Sequence, residues 1–157
     1  MQTRARDIMT APPLTVREET PVTEFARRLL EHRINGMPVV DAAGRLVGVA
    51  TEGDLVDQCK RLHIPTMLTL LDAVIYLESP RQFERDLRKM AAATVGEICT
   101  RDPVTVDEDA ALEEVASLMS ERKVYTLPVL KDGELVGVIG RSDVVRSLVR
   151  GAAGAGD

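Results

Sequence analysis

The sequence contains an internal repeat, and this repeat restricts the possible folds more than any other feature. The segment MPVVDAAGRLVGVATEGDL, at residues 37–55, recurs as LPVLKDGELVGVIGRSDV at residues 127–144. The copies also align upstream at a constant offset, so that two tandem units span residues 4–57 and 94–147. A unit of this size buries little apolar surface alone, and we therefore expect the two units to pack against each other.

The residue pattern of each unit predicts the element order β-α-β-β-α. The turns Ala43-Gly44 and Asp132-Gly133 separate β-rich runs, which is typical of β-hairpins. Upstream of each hairpin, apolar residues recur with the spacing of one helix face. Asp54 and Asp143 follow the hairpins, where helix N-caps belong, and we expect the second helix of each unit to begin near them.

The segment between the units has no copy elsewhere in the chain. Residues 58–93 form this insert, which we predict to contain two helices, and residues 66–77 are apolar nearly all round. Two interpretations remain open: a linker packed on its own module, or a helical arm that forms a dimer or binds a partner. The tail, residues 148–157, ends in glycine and alanine, and we predict it to be disordered.

Composition argues against several classes of function. The net charge of −5 does not favour nucleic acid, which usually requires a basic face. Cys59 and Cys99 form no CxxC motif, so a reduced, cytoplasmic protein is the simplest interpretation. We see no signal peptide, and the longest apolar run is too short to span a bilayer. His32 and His63 lack the spacing of metal ligands, and no catalytic motif is present.

The two units together resemble a tandem pair of cystathionine-β-synthase (CBS) domains, a regulatory arrangement called a Bateman module. Any one of the matching motifs is weak, but two complete copies in the same order are specific. In the first unit the motifs are Met9-Thr10, residues 13–16, residues 37–41 and residues 48–54. In the second unit they are Thr100 and residues 103–106, 127–130 and 137–143.

The resemblance implies an α/β (α+β) fold in which two β-α-β-β-α repeats pack with pseudo-two-fold symmetry and leave two clefts. It implies a stand-alone, homodimeric protein that regulates an unknown protein partner. Such pairs commonly bind adenosine-containing ligands such as AMP, ADP, ATP or S-adenosylmethionine, with no obligatory cofactor. In the family, a Thr/Ser-x-x-Asp step supplies the carboxylate for the ribose and a hydroxyl near the phosphate.

This step is complete in the first unit, from Thr51 to Asp54, while Gly140 replaces the hydroxyl residue in the second. The second unit keeps Asp143 and adds Arg141, so we expect a better site at Thr51 and Asp54 and a modified one at Arg141 and Asp143. Further candidates are Thr10 and the residues predicted to line an adenine slot, namely Asn35, Gly36, Met37, Pro38, Tyr125, Thr126, Leu127 and Pro128. The nearest cations for a phosphate are Arg33, Lys123 and Arg141.

Plainer interpretations of the same residues stay open. Asp54 and Asp143 can serve only as helix caps, Thr51 and Arg141 can face solvent, and Tyr125 can pack in an interface. Met37 and Leu127 are more simply read as core residues. At the level of function, the leading hypothesis is a non-enzymatic nucleotide sensor. The alternatives are a structural dimerisation module with no small-molecule ligand, and an enzyme, for which the sequence offers no catalytic set.

Overall fold

The structure is a computed structural model that describes residues 2–61, 81, 85, 88–89 and 92–154 of the 157-residue chain. Both repeats contain the predicted β-α-β-β-α order, preceded by a short helix in each and by an additional short strand in the second. The two helices predicted in the insert lie largely outside the described residues. The helices are α1 (Ala5–Ile8), α2 (Val22–His32), α3 (Glu52–Arg61), α4 (Val95–Ile98), α5 (Leu112–Arg122) and α6 (Arg141–Gly154). The strands are β1 (Val16–Arg17), β2 (Gly36–Val40), β3 (Leu46–Thr51), β4 (Thr100–Arg101), β5 (Val106–Asp107), β6 (Thr126–Lys131) and β7 (Glu134–Gly140).

The strands form two sheets, each built around one hairpin. The sheet orders are β1-β2-β3-β4 and β5-β6-β7, in which β2 pairs antiparallel with β3 and β6 pairs antiparallel with β7. Gly44 and Gly133 both have φ of +81°, and Asp132 has φ of +51°. These left-handed values are those that tight hairpin turns require and that glycine and aspartate tolerate best, which confirms the hairpins predicted from the turn residues.

The segment that opens each repeat completes the sheet of the other repeat. Strand β4 opens the second repeat, yet it pairs antiparallel with β3 of the first, with Val49 opposite Thr100. In the opposite direction, Thr10 of the first repeat forms a bridge to Val138 of β7. Thr10 aligns with Thr100 and Val49 aligns with Val138, so the two contacts are equivalent in the two repeats. The two halves are therefore related by approximate two-fold symmetry.

The short helices α1 and α4 repeat this exchange. The amide of Ala5 donates to the carbonyl of Ala110 at 2.8 Å, and the amide of Val95 donates to that of Thr20 at 2.9 Å. Both Ala5 and Val95 are completely buried, and each belongs to the hydrophobic core of the other repeat. Each hydrophobic core therefore combines one sequence repeat with the opening segment of the other repeat.

Each core lies between one sheet and one long amphipathic helix. The first contains Val16, Phe25, Leu29, Met37, Val39 and Ala50 together with Val95. The second contains Val106, Ala110, Val115, Met119, Leu127, Val129 and Ile139 together with Ala5. The apolar faces predicted for the first long helix of each repeat thus point inward, as their spacing indicated.

The two sheets approach each other closely at the beginning of β2 and β6. A Cβ atom added to Gly36 would lie 2.7 Å from the Oγ1 atom of Thr126 and 2.8 Å from the carbonyl oxygen of Ala50. Glycine at position 36 is therefore required by the close approach rather than by its backbone angles. Two clefts open on either side of this seam.

The ends of several elements differ from the prediction. Helices α3 and α6 begin at Glu52 and Arg141, two residues before the aspartates, because Thr51 and Gly140 occupy the N-cap positions. Helix α6 continues to Gly154, so residues 148–154 are helical where the sequence predicted disorder, and residues 155–157 lie outside the described range. Alanines 152 and 153 favour the helical conformation and extend the helix beyond Gly151.

Candidate functional site

Two clefts at the seam contain most of the predicted site residues. We call them the Asp143 cleft, with a volume of about 330 Å³, and the Thr51 cleft, with a volume of about 750 Å³. The Asp143 cleft is lined by Thr10, Leu14, His32, Arg33, Ile34, Asn35, Gly36, Tyr125, Thr126, Val138, Gly140, Arg141, Ser142, Asp143 and Arg146. The Thr51 cleft is lined by Asn35, Val49, Thr51, Glu52, Gly53, Val56, Asp57, Thr100, Asp102, Pro103, Val104, Lys123, Val124, Tyr125, Thr126 and Arg141.

The clefts are built from equivalent positions of the two repeats. Thr10 and Leu14 in one correspond to Thr100 and Val104 in the other, and Arg33 corresponds to Lys123. Both Arg33 and Lys123 have φ of +53° at the end of a long helix, which gives them the same position relative to their clefts. Each cleft also combines the opening segment of one repeat with the hairpin–helix step of the other.

Thr51 and Asp54 form a capping box at the start of α3. The Oδ2 atom of Asp54 accepts from the amide of Thr51 at 2.8 Å and from its hydroxyl at 3.2 Å, and the amide of Asp54 lies 3.4 Å from the Thr51 hydroxyl. This is the reciprocal arrangement that satisfies two exposed donors at a helix N-terminus. Asp54 is thus the third helical residue and not the N-cap.

The Asp54 carboxyl is half-buried, and burial raises its pKa above the ordinary value. The hydrogen bonds from the Thr51 amide and hydroxyl act in the opposite direction, because they stabilise the carboxylate. Asp57, one helical turn further on, adds a smaller contribution that also raises the pKa.

Asp54 does not line the Thr51 cleft, although Thr51, Glu52 and Gly53 do. The role of its carboxylate as the ribose ligand stays a prediction. Its Oδ2 atom is directed to the backbone and hydroxyl of Thr51.

Asp143 is the equivalent residue of α6, and it does line a cleft. Its Oδ2 atom accepts from the amide of Gly140 at 2.8 Å, and its Oδ1 atom pairs with Arg146 Nη1 at 3.1 Å. Gly140 has no hydroxyl to match that of Thr51, so only half of the capping box is present. The carboxylate that the sequence assigned to the modified site is consequently the one that faces a cleft.

Four residues at the seam line both clefts: Asn35, Tyr125, Thr126 and Arg141. The guanidinium carbon of Arg141 lies 4.0 Å from the centre of the Tyr125 ring, within the range of a cation–π interaction. Tyr125 keeps 40% of its surface exposed. The pair forms a wall between the clefts that presents an aromatic face and a fixed positive charge.

The structure thus places eight of the predicted site residues at the clefts, and a ninth, Asp54, is hydrogen-bonded to one of them. The eight are Thr10, Asn35, Gly36, Thr51, Tyr125, Thr126, Arg141 and Asp143. The other four, Met37, Pro38, Leu127 and Pro128, are buried and line neither cleft with their side chains, and their place beside an adenine stays a prediction. The reason for their burial is the alternation of side chains along β2 and β6, together with packing on both faces of these strands.

The sequence analysis missed several lining residues. Apolar walls come from Leu14, Ile34 and Val138 in one cleft, and from Val49, Val104 and Val124 in the other. Charged positions in the first two turns of α3 and α6, including Glu52, Asp57 and Arg146, were also missed. Thr100 aligns with the candidate Thr10 in the internal repeat, so this alignment could have identified Thr100 as a site residue.

Within the described residues, no group of three or more histidine, cysteine, aspartate or glutamate side chains could hold a metal ion. The helices of the same ranges include none with both the length and the apolar character needed to cross a bilayer.

The fold and the clefts together define a class of protein. Its members consist of two α/β repeats that exchange their opening segments and form a pair of equivalent clefts between them. The family model for the CBS domain matches residues 5–61 and 95–150. The chain therefore belongs to the CBS domain family, as its motifs indicated. It is a tandem pair of such domains, and proteins of this kind are generally regulatory rather than catalytic.

Solved CBS pairs are similar over nearly the whole chain. The structure of CBSX2 from Arabidopsis thaliana in complex with AMP is 29% identical, with 94% of this chain and 97% of that chain covered and a TM-score of 0.68. The CBS domain pair of MJ0100, in complex with 5′-methylthioadenosine and S-adenosyl-L-methionine, is 28% identical with the same coverage and a TM-score of 0.68. An uncharacterised protein of Methanocaldococcus jannaschii is 28% identical over 92% of this chain and 90% of its own length.

Proposed function

We propose that the chain is a non-enzymatic regulatory module that binds adenosine-containing ligands in the clefts between its two repeats. The observation that carries this proposal is the composition of the Asp143 cleft. It combines a carboxylate, an apolar wall and several arginines in one open cleft at the seam. These are the three kinds of group that a ribose, a purine base and a phosphate require.

Each part of a nucleotide has a partner in this cleft. The Asp143 carboxylate can accept hydrogen bonds from both hydroxyls of a ribose. Leu14, Ile34 and Val138 offer an apolar surface for the base. Arg33 and Arg141 supply charge for a phosphate. We place the preferred nucleotide site here rather than at Thr51 and Asp54, because only one of the two aspartates reaches a cleft.

The ligands of solved relatives support the choice of an adenosine compound. CBSX2 was solved with AMP, and the CBS pair of MJ0100 with 5′-methylthioadenosine and S-adenosylmethionine. We propose AMP, ADP, ATP or S-adenosylmethionine as ligands of this chain, with no obligatory cofactor.

Calorimetric titration of ligand-stripped protein with each of these compounds tests the proposal. We expect saturable binding of at least one of them at micromolar to millimolar concentration. No heat and no thermal shift with any of them at millimolar concentration would refute it. A ligand identified by mass spectrometry in the purified protein gives an independent measurement.

Regulation follows if ligand affinity differs between two arrangements of the repeats. A molecule in either cleft contacts the opening segment of one repeat and the hairpin–helix step of the other. Its binding energy therefore depends on the relative position of the repeats. A protein partner that contacts both repeats would sense this position.

Exposed apolar side chains support a homodimer as part of the proposal. On α6, Val145, Leu148 and Val149 are 59%, 63% and 65% exposed, and their spacing places them on one side of the helix. Val56, the equivalent of Val145, is 66% exposed on α3. We propose that a second copy of the chain covers these side chains. This interface also supports the alternative function, a structural dimerisation module without a ligand.

Cys59 and Cys99 are both unpaired, which supports the reduced, cytoplasmic setting that the sequence suggested. We propose no catalytic role, and turnover of a nucleotide by the purified protein would contradict this part of the proposal.

A further inference from the structure

We propose that the two clefts take nucleosides whose 5′ substituents differ in charge. A phosphorylated nucleoside such as AMP binds in the Asp143 cleft, and a nucleoside with a neutral or cationic 5′ substituent, such as a thioether or a sulfonium, binds in the Thr51 cleft. This inference rests on the proposed function, since it assigns ligand classes to clefts that must first bind nucleosides.

The Asp143 cleft is cationic among the residues that the structure describes. Arg33, Arg141 and Arg146 line it, and Asp143 is the one carboxylate in its described lining. Arg146 already neutralises that carboxylate through a contact of 3.1 Å. Two arginines therefore remain to balance a phosphate monoester, which carries close to two negative charges at neutral pH.

The Thr51 cleft has the reverse balance in its described lining. Glu52, Asp57 and Asp102 contribute three carboxylates, against the two cations Lys123 and Arg141. The described salt bridges include none made by Glu52, Asp57 or Asp102. A phosphate placed here would meet a net negative charge, whereas a sulfonium or an amino group would be attracted.

Besides Asp102, the difference arises at two pairs of equivalent positions on α3 and α6. Glu52 corresponds to Arg141, and Asp57 corresponds to Arg146, so the sign of the charge is reversed at both. The remaining lining is similar in chemistry, with a threonine, an apolar residue and a basic residue at matching places. The two repeats therefore offer the same frame for a nucleoside and opposite charges for its 5′ substituent.

The size of the clefts agrees with two ligands. The Thr51 cleft, at about 750 Å³, is more than twice as large as the Asp143 cleft, at about 330 Å³. A nucleoside with a long amino-acid substituent fits the larger space better than the smaller one. Arg141 and Tyr125 stand between the clefts and contribute to both.

Charge-reversal variants of the full chain test the assignment by calorimetry with AMP, S-adenosylmethionine and 5′-methylthioadenosine. Arg146→Asp reproduces the charge of the first repeat in the Asp143 cleft, and we expect it to weaken AMP binding about tenfold or more. Asp57→Arg makes the opposite change in the Thr51 cleft. It should weaken S-adenosylmethionine about tenfold, should not weaken AMP, and should change the uncharged thioether far less.

Arg45→Asp is the matched control, because it changes the net charge by the same amount. Arg45 lies in the β2–β3 turn with 80% of its side chain exposed, and it lines neither cleft. We expect this variant to bind all three ligands as the original chain does. If Arg146→Asp fails to fold by circular dichroism, Arg146→Gln replaces it, with a smaller expected loss of AMP binding.

The outcomes separate the inference from the function on which it rests. An original chain that binds none of the three ligands overturns both. An original chain that binds AMP, but responds equally to Arg146→Asp and Asp57→Arg, overturns the charge assignment alone. The same holds if Asp57→Arg weakens the thioether as much as the sulfonium, because the effect would then be steric, or if Arg45→Asp weakens AMP as much as Arg146→Asp.

Discussion

At the scale of single residues, two equivalent aspartates have different surroundings. Asp54 accepts from both the amide and the hydroxyl of Thr51 and does not line the Thr51 cleft. Asp143 accepts from the amide of Gly140, and its second oxygen faces Arg146 at the edge of the Asp143 cleft. Gly140 stands where the first repeat has Thr51. The Asp143 carboxylate therefore lacks the hydroxyl hydrogen bond that the Asp54 carboxylate accepts.

The first prediction compares Asp143→Asn with Asp54→Asn. We expect Asp143→Asn to weaken AMP binding about tenfold to a hundredfold, since it removes charge-assisted hydrogen bonds to the ribose. Asp54→Asn should change the affinity less than about twofold, because Asp54 lines neither cleft. Calorimetric titration measures both values. Equal losses in the two variants would contradict the placement of the preferred site.

The second prediction concerns the pH dependence of stability at Asp54. Burial raises the pKa of this carboxyl, so the folded state binds its proton more tightly than the unfolded state does. The free energy of unfolding of the original chain, relative to Asp54→Asn, should therefore fall as the pH rises from about 4 through the raised pKa. It should be constant at higher pH.

Urea denaturation of both proteins across this range measures the difference. The lowered pKa of Asp41 acts in the opposite direction, but it is present in both proteins and cancels in the comparison. A relative gain in stability of the original chain with rising pH would show that the hydrogen bonds from Thr51 outweigh burial.

At the scale of elements, the exchange of opening segments determines which parts of the chain depend on each other. Helix α4 follows the insert and belongs to the second repeat by sequence, yet Val95 is packed with Phe25 and Met37 of the first. Strand β4 likewise extends the first sheet. Gly48 permits this close contact, because a Cβ atom there would lie 2.6 Å from the carbonyl oxygen of Thr100.

The third prediction uses Val95→Ala to test this dependence. Removal of two buried methyl groups should lower the free energy of unfolding by about 2 kcal/mol. Hydrogen exchange should become faster in β2 and β3 of the first sheet, with a smaller change in β6 and β7. Faster exchange confined to β6 and β7 would show that α4 packs on its own repeat.

The sequence was sufficient to predict the elements but not the exchange. Turn residues, helix spacing and the offset of the repeat are local signals, and they identified both hairpins and both long helices. Whether Thr100 pairs with its own repeat or with the other depends on contacts between distant segments, which periodicity does not encode. The burial of Met37 and Leu127 agrees with their simpler interpretation as core residues. The sequence left their alternative place in an adenine slot open, since strands packed on both faces show no alternation of polarity.

At the scale of the whole molecule, the apolar side chains on α6 are the largest group left without a partner in the described structure. Val145, Leu148 and Val149 lie on one side of a 14-residue helix. Soluble monomers rarely leave contiguous apolar surface of this kind uncovered. The role predicted for the insert in dimerisation remains a prediction, because most of residues 58–93 lie outside the described ranges.

The fourth prediction is that Leu148→Glu converts a dimer into a monomer. The side chain is already 63% exposed in one copy, so the charge costs little in the monomer and becomes costly when a second copy buries it. Sedimentation equilibrium measures the change. Leu30→Glu, at a side chain 80% exposed on α2, is the control and should leave the dimer intact. A monomeric original chain, or equal effects of the two changes, would contradict the interface.

The reciprocal exchange also has a consequence for how the chain reaches its native state. Ala5 must find Ala110, Thr10 must find Val138, and Thr100 must find Val49 before the exchange is complete. Closing loops of more than a hundred residues has an entropic cost and slows folding relative to a chain with local contacts of the same strength. Neither half of the chain can complete its hydrophobic core without a segment of the other half. The unit that folds cooperatively is therefore the pair of repeats and not the single repeat.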